Sequence, residues 1–205
     1  METQKAFIAA QRYMNKDVLP FGVGVIASFD EETAMNDTAR IKNLECANEW
    51  WEIEIPPEDS FLNLDQLLEH NSKTVLNSLC SQEALSMLFY DEKKDFDRHL
   101  DEVLKETGDY TQYGSIAREK INEFFEEKIQ IIKKHITVDS LINFITNKAK
   151  TKQMAVTCSF LFMQGINGII YEQQNTRRIL IFDAKKSIQT KQLKTALLND
   201  TRFSA

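Results

Sequence analysis

Gly165-Ile166-Asn167-Gly168-Ile169-Ile170-Tyr171-Glu172-Gln173-Gln174-Asn175, followed by Arg177-Arg178-Ile179-Leu180-Ile181-Phe182-Asp183, is the stretch that decides the fold. An apolar helix stops at Gly165, a short strand follows, a polar turn reverses it, and a second strand ends at Asp183. Apolar runs of this length bounded by glycine and amide residues are strands joined as a hairpin rather than helix. Asn167 and Gly168 are expected to set the turn into the first strand, because both residue types tolerate positive φ. Glu172 then falls at a strand end beside the turn, where a single carboxylate can face a ligand.

Upstream of the hairpin the pattern is helical. Met154, Cys158, Leu161 and Phe162 line one face of the helix that Gly165 ends, and Val138, Leu141, Ile142 and Ile145 mark a shorter one. Ala117, Ile121, Phe124, Phe125, Ile131 and Ile132 form the stripe of a longer helix starting near Ser115. Phe96, Leu100, Val103 and Leu104 form another, closed by Gly108. The helical pattern spans Ser60 to Lys134. Toward the N-terminus, Trp51, Ile53 and Ile55 alternate with Glu52 and Glu54 as in a half-buried strand, stopped by Pro56-Pro57. Phe21-Gly22-Val23-Gly24-Val25-Ile26-Ala27-Ser28 is a glycine-punctuated strand, and Asp30 is placed to cap a following helix. Glu2 to Lys16 reads as a short helix, and the tail after Lys185 as a short basic helix or a frayed end. Strands near both ends with helices grouped between them define an α+β fold. The expectation is one domain over residues 1–205 with a helical insertion at about 70–150.

Composition narrows the function classes. No apolar run approaches the roughly 20 residues needed to span a bilayer, and the first residues lack a secretory pattern, so a cytoplasmic protein without membrane contact is expected. Cys46, Cys80 and Cys158 are too few and too far apart for a disulfide framework, and with His70, His99 and His135 they make no metal-ligand spacing. The net charge of −6 conceals an asymmetry: residues 148–205 carry 10 Lys+Arg against 3 Asp+Glu. Such a basic end can attract a nucleotide, nucleic acid or an acidic protein face, or pair with the chain's own acidic helices. Trp50, on the polar side of its strand, is a candidate for an interface or a stacking contact.

Four segments in order resemble a known family. Glu49 through Asp65, Leu161 through Tyr171, Arg178 through Asp183 with the following Lys185-Lys186-Ser187-Ile188, and Phe21 through Ala34 are similar to motifs of ADP-ribosyltransferase-like domains. Those domains occur in phage head-associated (MuF-type) and polyvalent proteins. The resemblance implies a split mixed sheet holding NAD in a cleft, with a catalytic acid on a late strand that stabilises an oxocarbenium-like transition state. Carried over by position, Glu172 is the catalytic acid; Gly22, Gly24, Ser28 and Gln173 are the cofactor-binding candidates. Active members also carry an early strand with a His or Arg. This chain has no histidine before His70, which leaves Arg12 as the candidate there. The resemblance therefore implies either a host-modifying transferase or the same scaffold binding and inhibiting a host protein, for instance in counter-defence.

Overall fold

The computed structural model describes residues 4–9, 25–40, 50–107, 110–148, 154–182 and 189–192. Their strands are β1 (Gln4–Ala9), β2 (Val25–Ser28), β3 (Trp50–Ile55), β4 (Phe61–Asn63), β5 (Gly168–Gln173), β6 (Thr176–Ile181) and β7 (Gln189–Gln192). They form one mixed sheet in the order β4-β5-β6-β2-β1-β3-β7. Only the β4–β5 pair is parallel among these neighbours. The helices are α1 (Glu31–Arg40), α2 (Lys73–Leu79), α3 (Gln82–Leu88), α4 (Tyr90–Thr107), α5 (Tyr110–Lys133), α6 (Val138–Lys148) and α7 (Met154–Met163). The α+β class with a grouped helical segment is thus the observed architecture. Among the described residues no helix is long and apolar enough to cross a membrane.

Three segments depart from the sequence reading, for a common reason. The described part of the expected Glu2–Lys16 helix is strand β1, with Ala6 and Ile8 buried while Lys5 is exposed. β1 pairs with β3 over six residues and meets β2 on its other side, and these tertiary pairings outweigh the local helix preference of Ala and Gln. Phe61–Asn63, inside the stretch read as helical, is β4, an edge strand running beside Gly168–Ile170. Gln189–Gln192, read as basic helix or frayed end, is the opposite edge strand on β3. α5 also begins at Tyr110 rather than near Ser115 and runs through Gly114.

The sheet is buried on both faces where its apolar runs lie. Ile26, Leu62, Ile169, Leu180 and Phe182 meet the helical layer, joined by Leu85, Phe124, Leu141 and Leu161 from the helices. Ile8, Val25, Ala27, Ile53, Ile170, Ile179 and Ile181 belong to a second cluster on the opposite face. A strand with both faces buried reads as a continuous apolar run, which explains Ile179-Leu180-Ile181-Phe182.

Helix starts are set by side-chain caps. The Asp30 carboxylate accepts from the Thr33 amide at 2.8 Å and the Thr33 hydroxyl at 2.7 Å, as expected of an N-cap. Ser72 and Ser81 accept from Val75 and Ala84 in the same way, each at 3.1 Å. The two Thr33 hydrogen bonds hold the Asp30 carboxyl below its ordinary value, and the hydrogen bond from Lys148 does the same for Glu92. A depressed carboxylate contributes stability above its unfolded pKa and loses it as pH falls through the folded value. Replacing Asp30 with Ala is expected to cost about 1 kcal/mol at neutral pH. The difference in urea midpoint between wild type and variant should shrink at low pH, where both lack the charge. An equal difference at pH 7 and pH 3 would show that the charged cap does not contribute.

Candidate functional site

The late hairpin is built from its two ends. At the first, α7 closes in a Schellman arrangement: Gly165 adopts φ +79°, its amide donates to Phe162 O at 2.9 Å, and the Ile166 amide donates to Leu161 O at 3.0 Å. Asn167 and Gly168 were expected to take positive φ; instead the positive values fall at Gly165, Gln174 and Asn175. Asn167 acts as a clamp. Its amide donates to Ser60 O at 2.9 Å, its Nδ2 donates to Ser60 Oγ at 2.9 Å, and its carbonyl accepts from the Phe182 amide at 2.8 Å. Gly168 is required for space, since a Cβ there would stand 2.0 Å from the Leu180 carbonyl oxygen. At the far end, Gln174 (φ 54°) and Asn175 (φ 59°) are both left-handed. That is the two-residue turn whose twist matches a right-handed strand pair.

Register places each candidate residue. Glu172 is exposed and stands opposite Arg177 on β6. The Arg177 guanidinium is ion-paired with Glu58 and lies 4.9 Å from the centre of the Phe29 ring. Phe29 packs against the cluster containing Ala6 and Ile53, so Glu172 belongs to that face. The next row across the sheet is Tyr171–Arg178–Ser28–Phe7–Glu52, and it lies on the helical face. Ser28 is 2% exposed and Arg178 6%. The Ser28 hydroxyl oxygen accepts from the Asp30 amide at 3.1 Å. Gln173, two residues from Tyr171, shares the Ser28 face and is exposed. Glu172 and Ser28 therefore occupy opposite faces of the sheet. Gly22, Gly24, Arg12 and the Lys185–Ile188 segment lie outside the described residues, and so does Cys46.

Among the described residues β1 and β2 meet at one register pair, Phe7↔Ser28, whereas β1 and β3 share six and β2 and β6 share four. The helical layer rests on β4, β5, β6 and β2, and none of the described side chains of β1 and β3 belongs to its core. Past that boundary the same face carries Lys5, Phe7, Glu52 and Glu54. The Lys5 ammonium sits 2.8 Å from the Glu52 carboxylate, whose hydrogen bond and charge hold it above its ordinary value. Chemically this is a charged shelf beside an aromatic ring at the junction of two half-sheets.

No protein family, curated protein or solved structure matches the chain.

Lys5, Phe7 and Glu52 were not singled out from the sequence as site residues; Arg177-Arg178 could be read there as a phosphate contact or a charged hairpin edge. One signal was available: Arg177 and Arg178 are adjacent on a strand, so their side chains must leave by opposite faces. The basic C-terminal segment is partly used internally, because Lys148 pairs with Glu92 of α4 and Arg177 with Glu58.

Proposed function

We propose that this protein is an ADP-ribosyltransferase-like scaffold of phage or mobile-element origin. In this reading it has lost or diverged from catalysis and binds, and thereby inhibits, a host protein. The observation that carries the binding reading is the opposition of faces: Glu172 looks out from one side of the sheet and Ser28 is buried on the other. A transferase needs its acid and a second polar group converging on one nicotinamide ribose, because electrostatic stabilisation depends on groups already aimed at the developing charge. The scaffold itself is supported by the mixed sheet, in which the described residues of β1 and β2 meet at one register pair, and by the late hairpin with its carboxylate.

A second reading, an active NAD-dependent mono-ADP-ribosyltransferase, draws on β1. The family resemblance calls for an early strand bearing a His or Arg; β1 is an early strand, its described residues Gln4–Ala9 carry neither, and Arg12 follows three residues later in the sequence. NAD titration followed by mass spectrometry separates the two readings, with Glu172→Ala as control. The binding reading expects no nicotinamide release and no saturable NAD binding at millimolar concentration from folded protein. Nicotinamide release or an ADP-ribose adduct that disappears in E172A would establish the enzyme and overturn it.

A further inference from the structure

Away from the sheet, a concavity of about 410 Å³ opens between α2, the C-terminal end of α5 and the turn that follows α5. Its volume lies within the roughly 300–1,000 Å³ typical of small-molecule sites. Leu68, Leu76 and Ile132 form its apolar interior, with the Cys80 side chain in the wall. The cavity is framed by backbone rather than by chance contact of side chains. The Leu68 amide donates to Ile136 O at 2.8 Å, Leu67 bridges to Thr137, and the His135 amide donates to Ile132 O at 3.1 Å. Ile136, the apolar residue placed to fill the space, is instead 70% exposed and forms a lip with Leu67.

The mouth has a charge preference. Lys133 lies on it, and among the described residues its ammonium enters no ion pair. Its field reaches the wall, where it opposes the burial that pushes the Cys80 thiol up. His135 is also at the mouth, its Nδ1 held 2.9 Å from Ser140 Oγ and its ring against Phe144. The one acid there, Glu69, is turned toward His70 at 3.7 Å. An apolar chamber with a cation at its opening suits a molecule with a hydrocarbon tail and one anionic head.

We propose that this cavity binds a medium-chain carboxylate, its chain against Leu68, Leu76 and Ile132 and its head group at Lys133. The site is independent of the hairpin and of the reading given under the proposed function. The test uses the full chain with octanoate and, as the uncharged counterpart of the same length, 1-octanol, titrated calorimetrically. Octanoate is expected to bind with a Kd of roughly 0.1–1 mM. 1-Octanol should bind about threefold to fivefold more weakly, as one partly exposed charge contact provides. Lys133→Gln, a surface change that leaves the fold intact, should remove that difference. Leu76→Trp should fill the chamber and weaken octanoate by at least about tenfold, with circular dichroism confirming the fold. As a second readout, saturating octanoate should slow iodoacetamide labelling of Cys80, read by peptide mapping. Equal affinities for the two ligands in wild type, octanoate binding unchanged in L76W, or no saturable binding of octanoate would each overturn the proposal.

Discussion

Gly168→Ala is expected to be the most damaging glycine-to-alanine change among the described residues. The new Cβ would lie 2.0 Å from the Leu180 carbonyl oxygen and 3.0 Å from its carbon. Both are backbone atoms of the neighbouring strand, so no rotamer change can relieve the clash. Relief requires β5 to move away from β6, and that movement breaks other contacts. Gly168 pairs with Ile181 on one side and with Phe61 on the other, and its neighbour Asn167 holds Ser60 and Phe182 together. We expect a loss of about 3 kcal/mol or more, the range reserved for overpacking that breaks a network. Gly114→Ala is the internal contrast: within α5 its Cβ meets nothing within 4 Å, and the change should add about 0.5–1 kcal/mol. Urea unfolding of the two variants checks both, and a loss below about 1 kcal/mol for G168A would mean the strand pair is not held as described.

Phe89→Ala is expected to cost about 3–5 kcal/mol, the range for removing a buried aromatic ring. Phe89 is 2% exposed, between α3 and α4, and its ring centre is 6.0 Å from that of Phe144. Two ammonium groups sit over it, Lys148 at 4.8 Å and Lys128 at 5.4 Å, and Lys128 also lies 5.0 Å from Phe124. Lys148 keeps an ion pair with Glu92 when the ring is gone. Lys128, 8% exposed, keeps Glu127 at 3.0 Å, the remaining ring and the more distant charge of Glu92. The loss therefore combines a cavity with a poorly solvated charge. Lys128→Met tests the second component: with Phe89 present, an apolar chain of similar length should change stability by less than about 1 kcal/mol in either direction. If F89A and the F89A/K128M double variant unfold at the same midpoint, the charge contributes nothing and the cost is packing alone.

What could be read from the sequence followed how much of each element's fate is local. The β5–β6 hairpin, the Ile53/Ile55 alternation, the Asp30 cap and the α6 stripe are all settled within a few residues of themselves. β1, β4 and β7 are settled by partners far away in the chain. Ala9 lies opposite Trp50, Leu62 opposite Ile169 and Thr190 opposite Ile53. No periodicity within three to six residues encodes such a choice, and a stretch with good helix formers becomes strand when both its edges find partners. The candidate residues show the same division. That Glu172 stands at a strand end was legible. That Ser28 leaves by the other face depends on the β2–β6 register, which only the assembled sheet fixes.

The strand order also sets the sequence in which the molecule can assemble during synthesis. β1 and β3 are near enough in the chain to pair early, but among the described residues β2 joins them through one pair and shares four with β6. Between Ser28 and Arg178 the ribosome must deliver the whole helical segment. Until then β2 has an unsatisfied edge, and closing a connection that long is intrinsically slow. Helices α2 to α7 make mostly local contacts and are free to condense first, leaving the arrival of the late hairpin as the event that unites the two halves of the sheet.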